Sequence, residues 1–210
     1  MCLKNEVHNV VSSGGICAYN NHSFELFIEP AGNDSNTRLA KLDAADGPYS
    51  ALILAKAGLV RLGMGERATA DLKPPTLYHA VSQGALAVEI RTSDVQAREL
   101  CKALMHRETQ WKCLSERACL RALEGGCSVP VGVESALDLV HGTLTLTGCV
   151  TAIDGERHVE HTLSASVQTA EEAEALGTRL AQVLMQTGAA AILDEIKQDR
   201  VKRVEEERPA

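Results

Sequence analysis

Apolar and polar residues alternate in two runs of the last third of the chain, Thr143–Ile153 and Arg157–Val167. A period of two predicts strands that have one buried and one exposed face. Asp154-Gly155 stands between the runs, and an Asp-Gly pair favours the tight turn of a β-hairpin. We therefore predict an antiparallel hairpin in this region.

Helical signals follow the hairpin. Thr169 and Glu172 have the spacing of a capping box, which marks the N-terminus of a helix. An apolar stripe at helical spacing follows it and comprises Ala173, Leu176, Leu180, Val183 and Leu184. Gly188 is expected to end this helix, and a further helix is expected through Ile192. Residues 129–200 are thus predicted to form a small antiparallel sheet that is covered by helices.

Apolar runs also occur upstream. Ala51–Ala55 and Ala85–Ile90 are largely apolar, which is typical of strands buried on both faces. Phe24–Ile28 predicts a shorter strand. Ser93–Gln96 has a capping-box pattern, and the helix expected behind it carries one apolar face of Ala97, Leu100, Cys101, Leu104 and Met105.

Composition excludes several classes of protein. The 210 residues carry a net charge of -7 and are only 3% aromatic, which argues against a protein that binds nucleic acid. No apolar run reaches the roughly 18 residues of a membrane-spanning helix, and no targeting pattern precedes the fold, so we expect a cytoplasmic protein. The seven cysteines are an odd number in a chain without a secretory signal, which disfavours a disulfide framework, and they include no Cys-x-x-Cys pair, which disfavours a zinc site.

Cys127 is the strongest candidate for a chemical role. Glu108–Leu123 lacks Gly and Pro and predicts a helix, which Gly125 and Gly126 are expected to end before a strand begins near Pro130. The thiol would lie on a tight loop with little side-chain bulk before it. Such a place leaves room for a bulky adduct, and a thiolate there can act as a nucleophile. The alternative is a buried, inert cysteine, since free cysteines are among the most buried residues.

Four stretches of the sequence together resemble one known family. They are Asn36–Asp43 (NTRLAKLD), Ala51–Arg61 (ALILAKAGLVR), Ala80–Leu86 (AVSQGAL) and Glu116–Pro130 (ERACLRALEGGCSVP). The last stretch is highly specific, and the order and spacing of the others add to it. Over residues 36–197 the chain resembles the porphobilinogen deaminase (hydroxymethylbilane synthase) family.

The resemblance implies a transferase of tetrapyrrole and heme biosynthesis. The family condenses four porphobilinogen molecules head to tail, loses ammonia at each step and releases hydroxymethylbilane with water. Cys127 matches the cysteine that holds a covalent dipyrromethane cofactor as a thioether. The partners implied are the small molecule porphobilinogen alone, with neither nucleic acid nor membrane, and we expect a monomer without a metal site.

Four further residues match positions that bind substrate in the family. Arg38 and Arg61 match arginines that bind the acetate and propionate carboxylates, and Gln83 and Arg91 match positions near the active cleft. A guanidinium suits this role because it can donate two hydrogen bonds to one carboxylate. Without the resemblance, each arginine would be interpreted as a solvated surface charge.

The resemblance also implies a fold with α/β and α+β parts. It is the remnant of a periplasmic-binding-protein-like domain, followed by a small antiparallel sheet covered by helices. Residues 1–35 find no match, and residues 36–80 correspond to part of the second domain. Residues 81–102 correspond to a strand and connection that return to the first domain, and residues 103–210 to the α+β domain that carries the cofactor.

Departures from the family pattern leave two hypotheses open. Ser82 stands where many relatives have glycine, and residues 31–35 do not reproduce an Arg-Gly-Asn motif. The catalytic aspartate of the family finds no match, so no catalytic residue is assigned. The Cys127 segment favours a hydroxymethylbilane synthase. The absent aspartate favours a non-catalytic, N-terminally truncated remnant of that enzyme, and under this hypothesis the isolated chain shows no measurable turnover.

Overall fold

The computed structural model of the chain describes residues 35–46, 51–123 and 129–206, with the side chains of residues 35, 200 and 203–206 left aside. Within these ranges the fold combines helices with a three-stranded antiparallel sheet. The elements are α1 (Ser35–Asp43), α2 (Lys56–Arg61), α3 (Val95–Lys102), α4 (Arg107–Ala122), β1 (Val131–Asp138), β2 (Thr143–Thr151), β3 (His158–Ser166), α5 (Ala170–Leu184) and α6 (Ala190–Glu206).

The sheet has the order β1-β2-β3, and both pairs of neighbours are antiparallel. The predicted hairpin between β2 and β3 is confirmed. Gly155 takes a positive φ of 75° in the turn, a conformation that glycine adopts without steric cost. The Asp154 carboxylate accepts a hydrogen bond from the Glu156 N–H at 3.0 Å, which closes the turn.

Helix α5 begins at the predicted capping box. The Thr169 hydroxyl accepts a hydrogen bond from the Glu172 N–H at 3.2 Å, and the Glu172 carboxylate accepts one from the Thr169 N–H at 3.1 Å. The predicted stripe faces the core, where Ala173, Leu176, Leu180 and Leu184 are buried and Val183 is half-buried. Gly188, at a φ of 122°, interrupts the helical backbone between α5 and α6, as predicted.

One core unites the sheet with the last helices. Helix α4 packs on α5 and β1, and α5 packs on β2 and β3. Leu144 and Leu146 of β2 and Leu180 of α5 are fully buried in this core. Residues 129–200 therefore form a small antiparallel sheet covered by helices, as predicted, and α4 packs on it from the preceding part of the chain.

Helix α4 confirms the helix expected from the residues before Cys127. Its N-cap is His106, whose ring accepts a hydrogen bond from the Thr109 N–H. Its C-cap is Leu123. Gly125 and Gly126, which were expected to end the helix, lie outside the described residues.

Two strand predictions are wrong. Ala51–Ala55 and Ala85–Ile90 form no strand in the structure. Leu86 and Val88 are 81% and 61% exposed. A strand buried on both faces needs neighbours that pair with its N–H and C=O groups, and no described residue supplies such a ladder. The third expected strand, Phe24–Ile28, lies outside the described residues.

Helix α3 exists where it was expected, but it begins at a different cap. The side chain that caps it is Asp94 rather than Ser93, since the Asp94 carboxylate accepts a hydrogen bond from the Ala97 N–H at 2.9 Å. The expected apolar face is largely exposed: Leu100 is 76% and Leu104 is 72% exposed. The amphipathic pattern predicted the helix correctly and its burial incorrectly.

Candidate functional site

Cys127 lies outside the described residues, but both ends of its connection are fixed in the core. On one side Leu123 is only 1% exposed, and its N–H donates a hydrogen bond to the Cys119 carbonyl at 3.0 Å. On the other side Pro130 is buried, and its carbonyl accepts a hydrogen bond from the Thr151 N–H at 3.1 Å. The residues that flank the connection carrying Cys127, at the end of α4 and just before β1, are therefore buried and hydrogen-bonded in the core.

The buried thiols of the described residues are poorly suited to carry a covalent group. Cys119 and Cys149 are buried, whereas Cys101 and Cys113 are half-buried. Burial, reinforced by the nearby carboxylate of Glu116, raises the pKa of Cys119 to about 12. At neutral pH that thiol stays protonated, and only the thiolate is a strong nucleophile.

The loop Ala80–Gly84, which carries the candidate residue Gln83, has an unusual backbone. Ser82 adopts a positive φ of 60°, in the left-handed region that residues other than glycine rarely occupy. Two backbone hydrogen bonds between residues close in sequence shape the turn. The Gln83 N–H donates to the Ala80 carbonyl at 3.0 Å, and the Ala85 N–H donates to the Ser82 carbonyl at 3.2 Å. A contact from outside the loop is therefore needed to stabilise this backbone conformation of Ser82.

Glu116 of α4 contacts the loop directly. Its carboxylate accepts a hydrogen bond from the Ser82 N–H at 2.7 Å and another from the Ser135 hydroxyl of β1 at 2.5 Å. Glu116 is only 8% exposed. Burial raises the pKa of Glu116 above its ordinary value, while the hydrogen bonds from Ser135 and Ser82 and the charge of Lys112 act in the opposite direction. One carboxylate thus joins the loop, the helix that leads to Cys127 and the first strand.

The residues before the loop are fixed to the sheet as well. His79 forms an antiparallel bridge with Val133 at the edge of β1, with N–H to carbonyl distances of 3.1 and 2.8 Å. Tyr78 is buried against Cys149, and burial together with a hydrogen bond to Glu160 raises the pKa of Tyr78. Burial lowers the pKa of His79 and favours the neutral ring. The two residues that precede the Ala80–Gly84 loop are therefore held against the sheet.

The sequence-predicted substrate residues lie on separate elements. Arg38 is half-buried on α1, and Arg61 is exposed as the last residue of α2. The Arg91 side chain is 86% exposed and lies 3.5 Å from the Asp94 carboxylate. Gln83 is exposed on the loop that Glu116 holds. Of the four, Gln83 is therefore the residue that described hydrogen bonds connect to the helix before Cys127.

Two other kinds of site find no support in the described ranges. No group of three or more His, Cys, Asp or Glu residues is placed to hold a metal ion there. Over the same residues, every helix is too short or too polar to cross a bilayer.

Sequence reasoning missed Glu116, although a signal was present. Glu116 is spaced three and seven residues before Cys119 and Leu123, two positions of the buried face of α4. A carboxylate on an apolar helical stripe is rarely buried unless hydrogen bonds satisfy it. Its partners, Ser82 and Ser135, come from distant parts of the chain and could not be identified without the fold.

Comparison with known proteins gives matches along most of the chain. The family model described as "Porphobilinogen deaminase, dipyromethane cofactor binding domain" matches residues 17–99. The model described as "Porphobilinogen deaminase, C-terminal domain" matches residues 111–186, a range that includes Cys127.

Curated relatives agree with the family models. The chain is 44% identical over 177 residues to the porphobilinogen deaminase of Yarrowia lipolytica, which is 84% of this chain and 52% of the relative. It is 49% identical over 175 residues to the porphobilinogen deaminase of Synechococcus elongatus, 83% of this chain and 52% of the relative. It is 44% identical over 172 residues to that of Schizosaccharomyces pombe, 80% of this chain and 51% of the relative. The chain spans about half the length of these relatives.

Proposed function

Because the chain belongs to the porphobilinogen deaminase family, we propose that its function is hydroxymethylbilane synthesis. In this reaction four porphobilinogen molecules are joined head to tail, and one ammonia leaves at each condensation. The growing chain stays covalently attached to the protein until water releases it. The proposal assigns the attachment to Cys127.

The observation that carries the proposal is the match of the family's C-terminal domain model to residues 111–186, a range that contains Cys127. Within that range the described residues that flank the Cys127 connection, Leu123 and Pro130, are buried and hydrogen-bonded in the core. In the sequence, two glycines precede the thiol and add no side-chain bulk beside it. A bulky covalent group needs such room around its sulphur.

The residue types present fit a dipyrromethane. A thiol supplies the sulphur of a thioether, and exposed guanidinium groups at Arg61 and Arg91 can bind its carboxylates. When bound, this group supplies a nucleophilic pyrrole carbon to which the next substrate is joined. The chain's own residues would hold the sulphur at Cys127 and bind carboxylates through Arg38, Arg61 and Arg91. Gln83 would orient polar groups of the substrate.

We also propose a division of the chain into functional parts. Residues 36–80 would belong to a periplasmic-binding-protein-like domain, and residues 81–102 would form its connection to a further domain. The match of the cofactor-binding model to residues 17–99 supports this part. Residues 103–210 would form the domain that carries Cys127, which is supported by the match at 111–186 and by a core built mainly from this region.

A non-catalytic protein is the second candidate, and one observation favours it. Leu86 and Val88 belong to a run for which a buried strand was expected, and both are largely exposed. Among the described residues that run has no neighbour with which to build one wall of a cleft. Catalysis of this kind depends on positioning, which can lower the activation barrier by about 7–11 kcal/mol.

A turnover assay distinguishes the two candidates. The purified protein is incubated with porphobilinogen, and the bilane or its cyclised uroporphyrin is measured. Product that disappears in the Cys127→Ser variant and persists in Cys113→Ser supports hydroxymethylbilane synthesis. A folded protein that gives no product, or product that survives Cys127→Ser, contradicts the first candidate; no product is the result that the second predicts.

A further inference from the structure

Ser82 is held in a conformation that it would not favour alone. A residue with a Cβ in the left-handed region is disfavoured by about 1–2 kcal/mol, and glycine escapes this cost. Ser82 has a φ of 60°, and its N–H points at the Glu116 carboxylate, 2.7 Å away. A hydrogen bond to a charged acceptor is worth about 1.5–3 kcal/mol, which is enough to offset the cost of the backbone conformation.

The carboxylate that stabilises Ser82 cannot easily move. Glu116 is 8% exposed, and its second oxygen accepts the Ser135 hydroxyl hydrogen bond at 2.5 Å. Its helix is packed on α5 so closely that a Cβ at Gly177 would lie 1.9 Å from the Ser115 carbonyl oxygen, one residue before Glu116. The Ala80–Gly84 loop is therefore held by a side chain that is itself fixed in place on the closely packed helix α4.

We propose that Glu116 is a positioning residue that fixes the Gln83 loop relative to α4 and β1. The Glu116 carboxylate holds Ser82 in the left-handed conformation, and this backbone conformation sets the direction of the side chain of the following residue, Gln83. The same carboxylate accepts a hydrogen bond from the Ser135 hydroxyl of β1, so one buried acceptor couples the loop to both the helix and the strand. The role of Gln83 rests on the proposed function, whereas the coupling itself can be tested without it.

Four variants and one control test the coupling. Glu116→Ala removes the acceptor. Glu116→Gln keeps an oxygen for the Ser82 N–H and an amide that can donate to the Ser135 hydroxyl. Ser82→Gly removes the backbone cost, and it is made alone and together with Glu116→Ala. Arg121→Ala is the control, because Arg121 is an exposed residue of the same helix and its guanidinium pairs with Glu174 of α5.

The readout is amide hydrogen exchange by NMR in the whole chain. The amides of Gln83 and Ala85 report the two bonds that shape the turn, and amides of β2 serve as the internal reference. In Glu116→Ala we expect exchange at both loop amides to accelerate about 10- to 100-fold relative to β2, the factor that corresponds to losing one charge-assisted bond. In Glu116→Gln we expect a smaller acceleration, below about tenfold, because a neutral acceptor still contributes about 0.5–1.5 kcal/mol. Adding Ser82→Gly to Glu116→Ala should restore most of the protection, because glycine adopts the turn unaided.

Several outcomes overturn the proposal. Loop exchange in Glu116→Ala that matches Arg121→Ala would show that Glu116 does not hold the loop. An equal acceleration throughout α4 and β2, not reversed by Ser82→Gly, would show a general structural role. If Glu116→Ala does not fold, Ser135→Ala replaces it. That variant should give a smaller acceleration at Gln83 and Ala85, again reversed by Ser82→Gly, and the absence of this effect would be equally negative.

The outcome of the exchange experiment is separate from that of the proposed function. A wild-type chain that carries no dipyrromethane, as measured by intact mass, would contradict the proposed function, while the exchange rates of Gln83 and Ala85 would still decide whether Glu116 holds the loop.

Discussion

Gly177 of α5 and Ser115 of α4 are in backbone contact: a Cβ built on Gly177 would lie 1.9 Å from the Ser115 carbonyl oxygen. It would also lie 2.9 Å from the Cys119 nitrogen. Both neighbours are backbone atoms within a buried helix, so no side-chain rotation can relieve the overlap. Glycine at this position is what allows the two helices to pack so closely.

Gly177→Ala should therefore destabilise the protein strongly. Overpacking in a core commonly costs about 1–3 kcal/mol, and here we expect the upper end or more because the backbone must move. Urea unfolding measures the change in the free energy of unfolding. Gly58→Ala is the matched control, since nothing lies within 4 Å of the corresponding Cβ. A loss for Gly177→Ala no greater than that for Gly58→Ala would contradict the close contact.

The capping box of α5 gives a second stability prediction. Thr169→Ala removes the hydroxyl that accepts the Glu172 N–H, and we expect a loss of about 1 kcal/mol. Thr178→Ala is the control, because the Thr178 hydroxyl only donates back to the Glu174 carbonyl within the same exposed helix face. Equal effects of the two substitutions on thermal unfolding would mean that the cap contributes nothing specific.

Glu116 predicts a dependence of stability on pH. Its pKa in the folded protein is raised by burial above the ordinary value of 4.5. Between these two pKa values the folded state binds more protons than the unfolded state, so the contribution of Glu116 to stability falls as pH rises through that window. The wild type should therefore lose stability relative to Glu116→Gln as pH increases from below about 4.5 to neutral. A wild-type stability that stays constant or rises relative to that of Glu116→Gln over this pH range would show that burial does not raise the pKa of the Glu116 carboxyl.

Stability should also differ between the two halves of the chain. The main buried cluster runs from Trp111 to Ile196, whereas residues 36–46 and 51–110, the earlier residues whose burial the structure describes, contribute few buried residues, among them Leu39, Leu59 and Leu77. We predict that residues 103–200 form an autonomous domain whose amides exchange more slowly than those of residues 1–80. Equal or faster exchange in β2 and α5 would rule out an autonomous domain.

Local signals account for the parts of the fold that the sequence predicted correctly. The Asp154-Gly155 turn and the Thr169 capping box each depend on residues within a few positions of one another, and both are confirmed. The prediction of a strand at Ala85–Ile90 was wrong because composition shows that a segment can form a strand, but not whether a neighbouring strand exists to pair with it. The cap of α3 moved by one residue because Ser93 and Asp94 are both good capping residues.

The candidate site likewise contains one residue that the sequence could identify and one that it could not. Cys127 could be singled out because its identity and its neighbours are written in one continuous stretch. Glu116 could not, because its hydrogen bonds bridge 34 residues to Ser82 and 19 residues to Ser135. A buried acceptor of this kind emerges only when helix, loop and strand are brought together.

The central claim is that Cys127 carries a dipyrromethane, and the intact mass of the purified chain tests it most directly. We predict a mass that exceeds the sequence value by one dipyrromethane. The excess should be lost in Cys127→Ser and kept in Cys113→Ser, a control on the helix that leads to the same connection. An unmodified mass for the wild-type chain, or the same excess in Cys127→Ser, would contradict the claim.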